Sequence, residues 1–143
     1  YIRKRWWTQL LSNSKAKSHQ HISPNMRAYI CVSAGYRGLE FNYLVGQNNC
    51  GCELYIDRGK DSQEENKMIF DKLQLQESTI NQKINFPISW QRLESKRASR
   101  IRIDLEGGYK STEDDWGAFH EKMIDAMNEL EAAVKPELKK LRL

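Results

Sequence analysis

The chain has 143 residues, of which 39% are hydrophobic and 29% are charged, with a formal net charge of +4 at pH 7. This length suits one domain with its own core, and four Trp, six Tyr and four Phe argue against a disordered tail. No apolar run approaches the ~18 residues that a membrane-spanning helix needs, so no membrane association is predicted.

An amphipathic helix is predicted at the start of the chain. Over residues 2–17, Trp6 and Leu10 fall on one stripe at helical spacing. Because Trp6 and Trp7 would lie about 100° apart on this helix, at least one of them should enter the core or an interface. The polar segment 18–27, with two His and a Pro, is predicted to be a loop.

Three strands with short connections are predicted next. Residues 28–34 are mostly small or β-branched, and residues 39–45 largely alternate between apolar and polar side chains. The alternating stretch 50–57 places Cys50 and Cys52 on one face, as small core residues. Three such strands predict an antiparallel meander.

A second amphipathic helix is predicted after the meander. Asp61 or Ser62 can begin it, with a Glu three residues later to complete a capping box. Apolar side chains then recur at helical spacing as far as Ile84, with one interruption at Gln76. Pro87 ends the run.

Two more strands and a last helix complete the chain. Residues 88–93 and 100–106 alternate, and a charged turn at 94–98 joins them. Thr112 is predicted to cap the last helix, whose apolar side chains keep steps of three and four. Pro136 should kink this helix or end its regular part.

These elements predict an α+β fold in the order α-β-β-β-α-β-β-α. We expect a single domain over residues 1–143, in which a mostly antiparallel five-stranded sheet carries its helices mainly on one face. Ile101, Ile103 and Leu105 should face the helices. The opposite face should then display Glu53, Tyr55, Asp57, Arg100, Arg102 and Asp104.

The charge is unevenly distributed along the chain. Residues 1–39 contain seven basic side chains and no acidic one, whereas the rest of the chain has 16 basic and 19 acidic groups. Such asymmetry is typical of a segment that binds a polyanion. It is also typical of a helix that packs on an acidic neighbour.

Two basic clusters are candidate contacts for nucleic acid or for a partner protein. In the first helix, Arg and Lys precede two Trp whose indoles could stack on bases. Segment 96–102 is the densest basic cluster, although acids on the same sheet face would neutralise its arginines as cross-strand pairs. The predicted contact residues are Arg3, Arg5, Arg37, Lys96, Arg97, Arg100 and Arg102.

A small set of carboxylates raises the alternative of a metal-dependent nuclease. Asp57 ends a predicted strand, and Glu94 and Lys96 have the Glu-x-Lys spacing that, with an Asp on a neighbouring strand, can hold a divalent metal. Glu94 is predicted to lie in a turn, however, and chance matches are frequent in a chain this charged. No catalytic residue is therefore predicted.

The cysteines and histidines predict neither a metal site nor a cofactor. Cys50 and Cys52 have no second Cys or His pair that would complete a tetrahedral site. The three histidines show no ligand spacing. An odd number of cysteines, three, favours a reducing compartment and hence a cytoplasmic location.

Several strings of residues occur together in an order and spacing that resemble a known family. They are Trp7-Thr8-Gln9-Leu10-Leu11, Ser33-Ala34-Gly35-Tyr36-Arg37-Gly38-Leu39, Glu53-Leu54-Tyr55-Ile56-Asp57-Arg58-Gly59, Glu65-Asn66-Lys67 with Phe70-Asp71, Trp90 with Arg92-Leu93, Lys96-Arg97-Ala98-Ser99-Arg100-Ile101, and Met123-Ile124-Asp125-Ala126-Met127. Over nearly the whole chain they are similar to the bacterial and archaeal family catalogued as domain of unknown function 4268. This resemblance implies a C-terminal module that often stands behind a nuclease-like domain, in a DNA-processing or defence context. It brings no catalytic residues with it.

The leading hypothesis is a non-catalytic accessory module, the C-terminal part of a longer protein, that binds DNA, RNA or a nuclease-like domain N-terminal to it. One alternative is a small metal-dependent nuclease of the restriction-endonuclease type. Another is a structural dimerisation module. The sequence does not determine the oligomeric state.

Overall fold

An antiparallel sheet lies at the centre of the molecule, whose residues 1–143 are described by a computed structural model. The strands, labelled in chain order, are β1 (Tyr29–Ser33), β2 (Leu39–Val45), β3 (Asn49–Ile56), β4 (Ser89–Gln91) and β5 (Ser99–Glu106). The helices are α1 (Ile2–Leu11), α2 (Gln63–Gln74), α3 (Glu77–Gln82) and α4 (Glu113–Leu141), with a turn of 3-10 helix at Lys17–His19. The predicted α+β fold is confirmed.

All neighbouring strands pair antiparallel, in the order β1-β2-β3-β5-β4. The first three strands form the predicted meander, because short turns join them. Strand β5 then pairs with β3 on one side and with β4 on the other. Arg100 and Arg102 of β5 therefore lie directly beside β3, which carries Glu53.

The core lies between one face of this sheet and the helices. Cys52 and Leu54 from β3, and Ile101 and Ile103 from β5, are fully buried on this face, against which α4 packs. Burial of each of the larger side chains contributes roughly 1.5–3 kcal/mol. Leu105, near the end of β5, packs on the core but stays partly exposed.

Helix α1 packs on α4 through Trp6. Trp6 and Trp7 are both fully buried. The Trp6 ring meets Trp116 edge-on at 5.1 Å between centroids and meets His120 at 4.3 Å. Both indoles therefore stabilise the fold, and neither is free to stack on a base.

Two helices differ from their predicted lengths. Helix α1 ends at Leu11 rather than near residue 17, because the Asn13 side chain accepts from the Lys15 N–H and competes with the helix. The second predicted helix breaks into α2 and α3 at Leu75. Leu75 is 80% exposed, so a continuous helix would gain no packing there.

Two predicted caps are in place without their cap hydrogen bonds. Ser62 and Thr112 are the N-cap residues of α2 and α4, but neither side chain bonds the first turn. Asp61 has a φ of 66°, in the left-handed region. Negative side chains in the first turn of each helix interact with the helix dipole instead; in α2 these are Glu64 and Glu65.

Pro136 does not end the last helix, which was one of the two outcomes predicted for it; the other was a kink. Helix α4 continues to Leu141, although a proline inside a helix removes one hydrogen bond. Val134 before the proline and Leu138 after it are both fully buried. Packing on both sides of Pro136 offsets the lost bond and keeps the chain helical.

Candidate binding face

One face of the sheet carries no helix, and we call it the helix-free face. Successive side chains along a strand point to opposite faces, so the residues that alternate with the core positions lie on it. The register sets Glu53 opposite Arg102, and Tyr55 opposite Arg100. The helix-free face consists of Tyr29, Cys31, Ser33, Glu40, Asn42, Leu44, Gly51, Glu53, Tyr55, Ser89, Gln91, Arg100, Arg102 and Asp104.

A buried carboxylate and a buried amide occupy the centre of this face. Glu53 is 3% exposed and Asn42 is 5% exposed, although no helix covers them. The Asn42 amide nitrogen donates to Glu53 Oε2 at 2.8 Å, and Arg100 Nη1 lies 3.6 Å from Glu53 Oε1. Glu53 Oε1 and Asn42 Oδ1 have no hydrogen-bond donor. Because a buried acceptor without a donor is destabilising, these two atoms favour a ligand that donates.

These two residues line a pocket of about 280 Å³. Its walls contain the carboxylates of Glu40 and Glu53 and the phenol rings of two tyrosines. We call it the acceptor-rich pocket, and its lining residues are Tyr29, Glu40, Asn42, Leu44, Glu53 and Tyr55. None of them is a cation, although the Arg100 guanidinium pairs with Glu53 from outside the lining.

Burial and nearby carboxylates raise the pKa of two groups at the acceptor-rich pocket. Burial, and then the Glu40 carboxylate, raise the pKa of the Cys31 thiol. Burial, followed by Asp57 and Glu53, raises the pKa of Tyr55. Both groups are therefore neutral near pH 7.

The two predicted contact residues in the middle of β5 are already paired on the helix-free face. Arg100 Nε donates to Gln91 Oε1 at 2.6 Å. Arg102 Nε donates to Asp104 Oδ1 at 2.7 Å, and both guanidinium groups are largely shielded from solvent. The positive charge on this half of the face is therefore locally compensated.

A third arginine is held at the end of the sheet. Arg97 donates two hydrogen bonds to the Asp57 carboxylate, at 2.8 and 2.7 Å, which holds the pKa of Asp57 below its ordinary value. Arg37 reaches the same end and donates to the backbone oxygen of Arg58 at 2.6 Å. Lys96 is exposed and has no carboxylate within ion-pair distance.

The basic residues of α1 lie elsewhere. Arg5 pairs with Glu113 at 2.6 Å, and Arg3 donates to the backbone oxygen of Met26 while its guanidinium lies over the Tyr109 ring. Because α1 packs on α4, these cations are on the helix side of the sheet. The structure therefore does not unite the two predicted basic clusters into one surface.

Arginines engage two residues of the predicted nuclease alternative. Asp57 is engaged by Arg97, and Glu94 pairs with Arg92 at 2.5 Å. No group of three or more His, Cys, Asp or Glu side chains is arranged to hold a metal ion. Asp57 and Glu94 are therefore held by arginines rather than directed at a common point.

Sequence reasoning missed a clamp formed by Asn66 and Lys67 on α2. The buried Lys67 ammonium donates to three backbone oxygens, those of Arg92, Leu93 and Ala98, at 2.5, 3.0 and 2.6 Å. Asn66 accepts from one backbone N–H and donates to the Arg97 oxygen at 3.1 Å. Together they hold the 92–99 loop, which leads into β5 and contains Lys96 and Arg97.

One signal for this clamp was present in the sequence. The string Glu65-Asn66-Lys67 with Phe70-Asp71 contacts the string Trp90 with Arg92-Leu93 in the structure. The Phe70 and Trp90 rings meet edge-on at 6.0 Å, and Asp71 accepts two hydrogen bonds from Arg92. The spacing of these residues is therefore explained by packing of α2 on the loop.

Replacing Asp57 with Asn is expected to lower the free energy of unfolding by about 1–2 kcal/mol, because it removes the charge that pairs with Arg97, while solvent screening of the partly exposed Arg97 limits the loss. Urea denaturation measures this loss, with Asp104→Asn as the control, since the Asp104 carboxylate is also paired with an arginine but is more exposed than that of Asp57. We also expect Mg²⁺ not to raise the melting temperature. A rise that occurs in the wild type and disappears in Asp57→Asn would instead support a metal-dependent nuclease.

The cysteines of β3 and two of the histidines lie in the core. Burial raises the pKa of Cys50 to about 12, so it stays a thiol. Burial lowers the pKa of both His19 and His120 to about 4.

None of the helices is long and apolar enough to cross a lipid bilayer.

Comparison with known proteins identifies a family and no closer relative. The family model described as Domain of unknown function (DUF4268) matches residues 2–138 of the 143. The resemblance seen in the sequence strings is therefore confirmed. No curated protein and no solved structure matches the chain.

Proposed function

The chain belongs to the family described as domain of unknown function (DUF4268), and we propose that it is a non-catalytic accessory module that docks onto a partner protein through its helix-free face. The expected partner is the nuclease-like domain that the family resemblance implies, in a DNA-processing or defence context. The observation that carries this proposal is the burial of Glu53 and Asn42 on a face that no helix covers.

The composition of the helix-free face supports a protein partner. A sheet face that contacts only solvent carries exposed polar side chains. Here Tyr29 is 39% exposed, Leu44 and Tyr55 are half-buried, and the arginines of β5 lie beside them. Tyr and Arg are enriched among the residues that dominate protein interfaces, which usually surround a buried centre with a polar rim.

The same geometry gives less support to nucleic acid. Of the seven predicted contact residues, four are paired with carboxylates: Arg5, Arg97, Arg100 and Arg102. The helix-free face carries the carboxylates of Glu40, Glu53 and Asp104 against the guanidinium groups of Arg100 and Arg102. A phosphate backbone needs unpaired cations on one surface, because affinity comes from neutralised phosphates.

Site-specific photo-crosslinking in the full-length protein tests the proposal. A benzophenone amino acid replaces Tyr29 on the helix-free face or, as the control, Leu75, which is 80% exposed between α2 and α3. After irradiation in the cells that make the protein, mass spectrometry identifies the protein or domain that is joined. We expect the probe at position 29 to cross-link one partner. The probe at position 75 should not cross-link that partner.

The identified partner is then purified and its affinity for the chain is measured by calorimetry. Tyr29→Ala is expected to weaken binding at least tenfold, since aromatic anchors dominate interfaces. Met68→Ala, at a residue of equal exposure on α2, should leave the affinity unchanged.

Three results would overturn the docking proposal. Affinity unaffected by Tyr29→Ala would place the interface elsewhere. A cross-link only to a second copy of the chain would indicate a dimerisation module. Binding of duplex DNA, measured by fluorescence anisotropy, with a steep salt dependence and a loss in Tyr29→Ala, would indicate a nucleic-acid interface.

A further inference from the structure

We propose that the acceptor-rich pocket binds the guanidinium group of an arginine side chain that the docking partner presents. This inference rests on the proposed function, because it names the chemistry of the partner at the centre of the helix-free face. It is argued from the unpaired acceptors, the charge, the aromatic walls and the size of the pocket.

The unpaired acceptors define what the ligand must supply. Glu53 Oε1 and Asn42 Oδ1 are buried and lack donors, and both residues line the pocket. Neighbouring guanidinium groups do not hydrogen-bond to these oxygens: Arg100 donates through Nε to Gln91 while its Nη1 stays 3.6 Å from Glu53 Oε1, and Arg102 donates to Asp104. A ligand with several N–H donors would satisfy both oxygens at once.

The charge of the pocket selects a cation among such donors. The lining contains the carboxylates of Glu40 and Glu53 and no positive side chain, and only Glu53 has a cation within ion-pair distance, Arg100 at 3.6 Å. Hydrogen bonds between a charged donor and a carboxylate are roughly twice as strong as those between neutral groups. A neutral amide would therefore bind more weakly than a guanidinium or an ammonium group.

The aromatic walls select guanidinium over ammonium. The pocket is lined by the rings of Tyr29 and Tyr55. A planar guanidinium stacks on aromatic faces and presents a fork of five N–H donors, whereas an ammonium is a compact, strongly hydrated charge. The chain itself shows such stacking, since the Arg27 guanidinium lies 5.9 Å from the centre of the Tyr29 ring.

The size of the pocket fits one side chain. Sites for drug-sized ligands occupy about 300–1,000 Å³. At about 280 Å³, the acceptor-rich pocket lies below that range. It is therefore suited to a single long side chain inserted from a larger partner surface.

Titration with small probes, followed by NMR, tests this assignment without a partner. The probes are N-acetyl-arginine methylamide, its neutral citrulline analogue and the lysine equivalent. We expect the arginine probe to cause saturable shifts of the Asn42 side-chain amide and the Tyr55 ring, with a Kd on the order of 1 mM for a ligand this small. The citrulline probe should cause no saturable shift.

Variants at the two carboxylates establish where the probe binds. Glu53→Gln and Glu40→Gln are each expected to weaken arginine binding at least fivefold, and Asp104→Asn, on the same face outside the pocket, should leave it unchanged. Thermal melts check that each variant is folded; Glu40 is less buried than Glu53, so Glu40→Gln keeps the test valid if Glu53→Gln unfolds.

Equal shifts from citrulline, no saturable shift from arginine, or binding unaffected by both Gln variants would overturn the inference. Lysine binding as strong as arginine binding would overturn the choice of guanidinium. Failure of the docking proposal is distinguishable from these results. If the probe fails while Tyr29-dependent docking persists, only this inference is lost; if the probe binds but no partner docks, only the proposed function is lost.

Discussion

Replacing Lys67 with Met is expected to lower the free energy of unfolding by about 3 kcal/mol. The substitution leaves three backbone oxygens of the 92–99 loop without their donor, and each unsatisfied buried acceptor costs about 1–3 kcal/mol. Part of this loss is offset, because burial and the nearby Arg92 charge already lower the pKa of Lys67 and disfavour its ammonium. The expected net loss of stability is still large for a single substitution.

Chemical denaturation measures this loss, with Lys72→Met on the exposed side of the same helix as the control. Hydrogen exchange should show faster exchange in the 92–99 loop of Lys67→Met than in the strands. Lys67→Arg is not expected to restore stability, since a planar fork cannot direct its donors at the same oxygens as a tetrahedral ammonium. A loss below about 1 kcal/mol in Lys67→Met would contradict the role of Lys67 as a clamp.

Acidification from pH 6.5 to pH 4 is expected to destabilise the fold by up to about 3 kcal/mol for each of His19 and His120. Burial lowers the pKa of each imidazole from 6.5 to about 4. Between these two values the unfolded chain binds protons that the folded chain does not. Stability from these groups is therefore fully present above pH 6.5 and is lost as the pH falls towards 4.

Urea denaturation at pH 7, 5.5 and 4 measures this dependence. His120→Phe keeps an aromatic ring against Trp6 and removes the titrating group, whose Nε2 has no hydrogen-bond partner. It should flatten the slope by about half, while His21→Asn, at an exposed histidine, should not change it. Two carboxylates with lowered pKa, Asp57 and Asp71, lose their contribution only below pH 3.8. An unchanged slope in His120→Phe would contradict the assignment.

The architecture could be predicted because it depends on short-range periodicity. The alternation of 39–45 and 50–57 predicted strands whose core faces are those observed, since a one-residue shift would move every side chain to the other face. The helix spacing likewise predicted the buried stripe of α4. Local rules failed where packing competes with them, as at Pro136, where buried neighbours keep the helix intact.

The paired state of the arginines was only half predictable. The pattern placed Arg100, Arg102 and several acids on one face and so predicted neutralisation in general. The individual partners depend on which strands become neighbours: Asp57 and Arg97 are 40 residues apart and meet only because β5 lies beside β3. No local sequence pattern predicts that pairing.

The sequence alone determined the family, the α+β class, the antiparallel sheet and the side chains that face away from the helices. These features follow from residue type and from periodicity among residues close together in the sequence. Only the tertiary structure decided that Glu53 and Asn42 are buried with unpaired acceptors, that two tyrosines stand beside them, and that Lys67 holds a loop 25 residues away. Burial and hydrogen bonding depend on contacts between distant segments, and those contacts form only when the strands take their order in the sheet.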